Sequence, residues 1–185
     1  MSIPIKLTTA TAADPVSGFK FGPSSRKQLA TGNPMLQMVV QRALELSPYD
    51  FGIAKGFRTK KEQAAEVAAG NSRTMDSRHT DAPKSNAFDI FILDENGKVV
   101  PMTNHKQMKK YGIAVADAMR QAARELGVDL TWGGSWGNIR NSDNNLFDDY
   151  MKYVKDKRAA GKEPLFDSGH YEFSKVDKPP LWVGL

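Results

Sequence analysis

The sequence predicts an α+β domain, a small and largely antiparallel sheet with flanking helices. Strand-like runs are short and mostly close together in sequence, as with AFDIFIL and KVVP on either side of DENG. Apolar stripes at helical spacing stand between some of those runs, a pattern of α+β architecture rather than of parallel βαβ units. The 185 residues give room for one hydrophobic core and offer no second-domain boundary, internal repeat or low-complexity segment. The expected layout is an irregular lead-in over residues 1–18 and a single domain over 19–185.

Order is expected to begin at SSRKQLA, where Ser25 and Gln28 have capping-box spacing. Asn33 then precedes Pro34 as an N-cap precedes the first helical residue, and Leu36, Val39, Val40, Ala43 and Leu44 follow along one helical face. FGIAK reads as a short strand. Thr59 and Glu62 form a capping box for the next helix, which Gly70 stops. Residues 71–86 show no regular apolar spacing, and a loop of that length is more often functional than idle. Asn96 and Gly97 suit a hairpin turn after AFDIFIL. Met108, Gly112, Val115, Met119, Ala122 and Leu126 line one stripe of the longest helix, closed by Gly127. VDLTW reads as a strand leading into GGSWGN. A charged helix around residues 146–160 precedes a last strand, GHYEF, and a Pro-rich tail.

Lys and Arg number 26 against 21 Asp and Glu, and the net charge of +5 mildly favours an anionic partner. The basic residues do not gather into one run, and neither a nucleic-acid partner nor stable membrane association is expected. Cysteine is absent, which removes disulfides, thiolate zinc sites and cysteine nucleophiles together. Any metal must be held by His, Asp or Glu. The N-terminal stretch lacks the apolar core of a signal peptide, and no later stretch approaches the roughly 20 apolar residues that span a bilayer.

The chain has three histidines. His79 lies in the long loop, ten positions before Asp89. His170 lies in FDSGHYEF, with Asp167 three residues before it and Glu172 two after it on the same strand face. Two histidines and a carboxylate, with one position left for water, are the commonest hydrolytic zinc set. His79, Asp89 and His170 are able to supply it. Zinc lowers the pKa of a bound water from about 15.7 towards about 7. Asp167 is the candidate to take that water's proton and pass it to a leaving amine. Spacing alone leaves the alternative open: His79 as a solvated loop residue and His170 as an ordinary strand residue. His105, at a helix start, reads as a solvated residue.

The segments SSRKQLATGNPMLQMVVQRALELSPYDF, GFRTKKEQ, SRH followed by AFDI, LTWGGSW and FDSGHYE resemble, in order and rough spacing, the phage endolysins that are L-alanyl-D-glutamate peptidases. Those group with the zinc D-alanyl-D-alanine carboxypeptidases of the vancomycin-resistance type. The resemblance covers about residues 19–174 and implies the hedgehog-like fold of these peptidases with one zinc per chain. Their first metal motif is Ser-x-His-x-x-Gly-x-Ala-x-Asp, matched here by Ser77, His79, Ala87 and Asp89. This sequence departs from it, since nine residues rather than six separate the two ligands and the glycine falls on Ser85. Three extra residues bulge out of a loop at little entropic cost. Asp81 is the rival ligand, without the Ala-x-Asp context.

The same resemblance makes Asp167 the catalytic base, His170 the third zinc ligand and Glu172 an orienting carboxylate, the alternative being an exposed strand residue. Arg58 of GFRTKKEQ matches an arginine that faces substrate, suited to hold a carboxylate in two-pronged fashion or to stabilise an oxyanion. Gln63 and Ser77 join the substrate-binding candidates, Gln63 with the alternative of an ordinary helix residue. Trp132 and Trp136 match a Trp-Gly-Gly-Asp-Trp segment in which Ser135 replaces the aspartate. They are candidates for the cleft wall, with core packing as the alternative. DNNLFDD has the oxygens for calcium but neither the spacing nor the glycine of an EF-hand loop.

The function expected is a zinc peptidase that hydrolyses an amide bond in the stem peptide of bacterial peptidoglycan, as a phage lysis enzyme. It is expected to be a monomer that stays in the host cytoplasm until lysis and then acts on the wall. Two other readings remain: a D-alanyl-D-alanine carboxypeptidase, and a wall-binding zinc domain without catalysis. Retention of Asp167 and Arg58 argues against the last, because a structural site needs neither.

Overall fold

The structure, a computed structural model, describes residues 17–102 and 104–174. The lead-in up to residue 16 and the Pro-rich tail lie outside the described residues. Ser17 is already tied down: its N–H donates to Glu45 O at 3.0 Å and its hydroxyl to Leu44 O at 2.7 Å.

Helix α1 spans Pro23–Leu29 and begins earlier than its capping-box spacing suggested, with Gly22 as N-cap. Ser25 sits inside the helix and its hydroxyl accepts from the Ile53 N–H at 3.1 Å, stitching α1 to the first strand. Helix α2, Pro34–Leu46, starts as expected, the Asn33 side chain accepting from Met35 N–H at 3.0 Å. Strand β1, Phe51–Lys55, leads to α3, Lys60–Ala68, whose capping box between Thr59 and Glu62 is complete in both directions. A single 3₁₀ turn, Arg78–Thr80, interrupts the long loop.

Strand β2, Ala87–Ile92, is followed by a tight turn with Gly97 at φ +74°. KVVP returns as one bridge, Leu93 to Val99, rather than as a strand. Helix α4, His105–Gln107, runs through a π-helical turn, Met108–Gly112, into α5, Ile113–Leu126. Gly127 closes α5 in the left-handed region at φ +68°, which glycine adopts without steric cost. Strands β3, Leu130–Trp132, and β4, Gly137–Asn138, precede α6, Leu146–Ala159, and β5, His170–Phe173.

The five strands form one sheet in the order β1-β2-β5-β3-β4, every pairing antiparallel, as the α+β reading expects. One sheet face is apolar: Phe88, Leu130, Trp132, Tyr171 and Phe173 are all buried. The core continues into α2, which lies against α5, through Leu36, Val39, Val40, Val115, Met119 and Ala122. The opposite sheet face carries the polar residues described next.

Candidate metal centre

Strand alternation and register assemble the site. Asp89 on β2 stands directly opposite His170 on β5, and Glu172 opposite both Ala87 on β2 and Thr131 on β3. Directly opposed residues share a face with their Cβ atoms about 4.5–5.5 Å apart, so residues 81 apart in sequence are brought into contact. Parity also decides Trp132. It pairs with Tyr171, one residue out of step with His170 and Glu172, and so belongs to the apolar face. Trp132 is fully buried there, its indole N–H donating to Ser168 O at 2.9 Å. The cleft-wall expectation for Trp132 is therefore corrected to core packing.

His79 arrives from the 3₁₀ turn, which Ser77 caps by accepting from the His79 N–H at 3.3 Å. Its Nδ1 lies 2.6 Å from Gly56 O. A carbonyl only accepts, so Nδ1 carries the proton and the Nε2 lone pair is free. The long separation between His79 and Asp89 is taken up by residues 81–86, which tie back to the α1–α2 turn. Ser85 N–H donates to Thr31 O, Asn33 N–H to Ser85 O, and the Lys84 ammonium to Ala30 O. Asp81 is held within that loop by the Asn86 amide at 2.9 Å and Arg78 at 3.5 Å. The loop bulges and the rival ligand stays with it.

His79 Nε2, Asp89 Oδ1 and His170 Nδ1 form a triangle with edges of 3.1, 3.3 and 2.9 Å. Ligands about 2.0–2.1 Å from a tetrahedral zinc stand roughly 3.3–3.4 Å apart, so the triangle is close to the size such an ion requires. The chemistry of the donors points the same way. His170 Nε2 lies 3.1 Å from Glu172 Oε2, so that nitrogen keeps its proton and donates it to the carboxylate, and Nδ1 is turned inward. Once His170 gives up its Nδ1 proton, two imidazole lone pairs and a carboxylate oxygen converge, a donor set that suits a divalent cation. Among the described residues this is the one group of three or more His, Asp or Glu side chains able to hold a metal ion.

Protons feel the same field. Burial works against charge on His170, but its hydrogen bonds to Asp89 and Glu172 outweigh that and push its pKa up to about 10. Burial likewise opposes the Asp89 carboxylate. The facing His170 and His79 rings prevail and hold it well below the usual carboxylate range. The Arg58 guanidinium closes on the other Asp89 oxygen at 2.5 Å and on Gln63 Oε1 at 3.5 Å. Its Nε has no partner.

Asp167 lines the same cleft. Burial first, and then the Asp89 charge, raise its pKa. Gly133 explains how it is brought so near: a Cβ there would lie 2.2 Å from Asp167 O and 3.0 Å from His170 Cβ, so only glycine permits this approach. The Trp136 ring lies over His170 at 5.3 Å between centroids, with its N–H on Leu165 O at 2.8 Å. It holds φ +52°, a left-handed conformation that is uncommon for a bulky side chain.

The cleft encloses about 300 Å³, lined among others by Arg58, Ser77, His79, Asp89, Trp136, Asp167, His170 and Glu172. Gln63 is not among its walls. It is fully buried behind Arg58 and donates to Ser72 Oγ and Thr74 O, so its expected substrate contact is corrected to support of the arginine and the 72–74 loop. Residues 73–76 supply cleft walls the sequence reading left unnamed, Arg73, Thr74 and Asp76. Their lack of apolar spacing marked them as a loop but singled out none of the three. His105 is paired with the Tyr150 hydroxyl at 2.9 Å, away from the cleft. In the DNNLFDD run Asp149 accepts from Asn144 within the run and from Ser142 just before it.

Residues 17–158 match the family described as phage L-alanyl-D-glutamate peptidase. The L-alanyl-D-glutamate peptidase of Escherichia phage T5 is 38% identical over 154 residues, 83% of this chain and 97% of that protein. In three dimensions the chain is similar to the L-Ala D-Glu endopeptidase ChiX of Serratia marcescens, with a TM-score of 0.61 and 26% identity over 85% of this chain and 92% of that one. The endolysin resemblance read from the motifs thus holds over most of the chain, and the protein belongs to the phage L-alanyl-D-glutamate peptidase family.

Proposed function

We propose that the protein is a zinc-dependent endopeptidase that hydrolyses the L-alanyl-D-glutamate bond of peptidoglycan stem peptides, as a phage lysis enzyme. The observation that carries the reading is the donor triangle of His79, Asp89 and His170, set beside a carboxylate, Asp167, that takes no part in it. A wall-binding zinc domain has no use for that carboxylate.

His79 Nε2, Asp89 Oδ1 and His170 Nδ1 would hold the metal. Zinc bound there supplies Lewis acidity, lowering the pKa of water towards about 7 and polarising the scissile carbonyl. Asp167 accepts the proton of the attacking water and delivers it to the departing amine. Its raised pKa suits both halves of that transfer, since a carboxylate that binds protons more readily takes one from water near neutral pH. Gly56 O and Glu172 fix the two imidazole rings in the tautomers that present lone pairs inward. Arg58 holds Asp89 in position and has further N–H donors for an oxyanion or a substrate carboxylate. Ser77 and Trp136 serve as cleft walls, Ser77 also capping the turn that carries His79.

No helix among the described residues is long and apolar enough to cross a membrane. A monomer released from the host cytoplasm at lysis completes the proposal. Purified protein incubated with defined peptidoglycan fragments, with products identified by mass spectrometry, tests it. Peptides beginning at D-glutamate are expected, in a reaction abolished by a chelator. Free D-alanine as the product would replace the reading with a carboxypeptidase, and no cleavage with zinc present would leave a binding module.

A further inference from the structure

Trp136 separates two hollows. One is the cleft of the donor triangle. The other, about 500 Å³, is walled by Trp136, Tyr153, Leu165, Arg73, Lys157 and Lys162, with Glu163 as its one acid. Arg73, Trp136 and Leu165 line both, so the two are parts of one groove that passes over the Trp136 indole.

The walls of this second hollow are pinned. The peptide group of Leu165 is gripped from two sides: its oxygen accepts from the Trp136 indole at 2.8 Å and the Tyr153 hydroxyl at 3.0 Å, and its N–H donates back to that hydroxyl at 3.0 Å. Both aromatic side chains are thereby fixed to the segment that leads into Asp167 and His170. The Lys157 ammonium lies over the Tyr153 ring, 5.5 Å from its centroid, and Arg73 reaches Glu163 O at 3.4 Å. Three cations against one carboxylate give the hollow a net charge of +2, the difference between three and one. Asp167 also borders a separate hollow lined by Ile90, Ile92, Val100, Met102 and Phe166, with no Lys or Arg in its walls. The groove is therefore basic on the Trp136 side.

The bond proposed for hydrolysis has a matching asymmetry, and the inference rests on that proposal. Glutamate has two carboxyl groups and the peptide continues through one, so the residue on the amine side of the scissile bond keeps a free carboxylate. Alanine, on the acyl side, offers a methyl group. A peptide residue spans about 3.3–3.6 Å, so a carboxylate one to three residues beyond the cut reaches past an indole that lies 5.3 Å from the His170 ring. We propose that the hollow bounded by Trp136, Tyr153, Lys157 and Lys162 receives a free carboxylate on the amine side of the scissile bond, and so sets the direction in which the stem peptide lies across the site.

The test uses acyl-L-Ala-D-Glu peptides extended by one residue with a carboxyl side chain, in three forms: both free carboxylates present, the glutamate one amidated, or the third-residue one amidated. Binding to Asp167→Asn protein is measured by calorimetry, and hydrolysis by the parent enzyme in parallel. Amidating one of the two carboxylates is expected to weaken binding about tenfold, which identifies the one seated there. In a Lys157→Ala/Lys162→Ala double variant that ratio should fall towards one, through KM more than kcat, while circular dichroism stays native. Equal binding of all three peptides, or an undiminished ratio in the double variant, overturns the inference. Discrimination in binding without hydrolysis by the parent would instead refute the proposed reaction and leave the carboxylate site standing.

Discussion

Replacing Asp89 and Asp81 separately by asparagine distinguishes ligand from bystander. Asp89 has both oxygens engaged at the centre: Oδ1 lies 3.1 Å from His79 Nε2 and 2.9 Å from His170 Nδ1, and Oδ2 accepts from Arg58. Structural zinc sites with four ligands bind with about 10–16 kcal/mol, or about 2.5–4 kcal/mol for each ligand. At about 1.4 kcal/mol per decade, loss of the Asp89 carboxylate should weaken zinc by roughly 10² to 10³. Asp81 contributes a partly exposed ion pair with Arg78 at 3.5 Å, a contact worth about 0–1 kcal/mol, and its bond to the Asn86 amide can be kept by an asparagine oxygen. Asp81→Asn should therefore leave zinc affinity within about threefold of the parent. Competition against a chromophoric chelator, with circular dichroism to verify the fold, gives both numbers. An Asp81→Asn loss equal to that of Asp89→Asn, or parental affinity in Asp89→Asn, would show that the long loop delivers a different ligand.

Arg58→Lys should retain zinc and fold but hydrolyse wall peptide only partially, because a lysine keeps the charge and loses the fork that holds Asp89 and leaves further donors for the proposed substrate contact; parental turnover would remove Arg58 from the chemistry. Gly133→Ala should cut activity by an order of magnitude or more, since its methyl must displace Asp167 O, 2.2 Å from the ideal Cβ; parental kinetics would mean that the Asp167 turn shifts freely. Metal-free protein should lose thermal stability as pH rises from about 6.5 to about 10. The raised pKa of His170 makes its contribution complete below the unfolded value and lost as pH climbs through the folded one. Asp89, shifted downward, works in the opposite sense, its contribution present above the ordinary carboxylate pKa and lost in acid. A metal-free melting temperature that does not change from pH 6.5 to 10, measured by differential scanning fluorimetry, would contradict the assigned His170 environment.

Local signals in the sequence carried local structure. Asn33 before Pro34, the Thr59–Glu62 pair and Gly127 each act within one helical turn, and each cap formed as its residues suggest. Ser25 misled because its hydroxyl is claimed by the Ile53 N–H, 28 residues away, while Gly22 and Pro23 start the helix. Within the π-helical turn Met108 approaches Gly112 so closely that a Cβ there would lie 2.6 Å from the sulfur, and a periodic stripe does not reveal that. At the site, residue types were legible and their faces were not. The candidate ligands could be named from chemistry and motif, but their meeting depends on the register of β2 against β5. Trp132 shows the cost of ignoring parity: placing it on the His170 face puts it one residue out of step with the pairing that buries it against Tyr171. Gln63 reads as a polar helix residue free to face a ligand, until the 72–74 loop closes over it.

The central claim is that His79, Asp89 and His170 hold the metal while Asp167 moves the proton. The most direct test is Asp167→Asn, with zinc content by atomic spectroscopy and turnover of wall peptide measured on the same preparation. Asparagine keeps the size of the side chain but cannot accept the proton. The account predicts one zinc per chain, native circular dichroism and a fall in turnover of roughly 10² to 10⁴. Parental turnover, or loss of the metal along with activity, would contradict it.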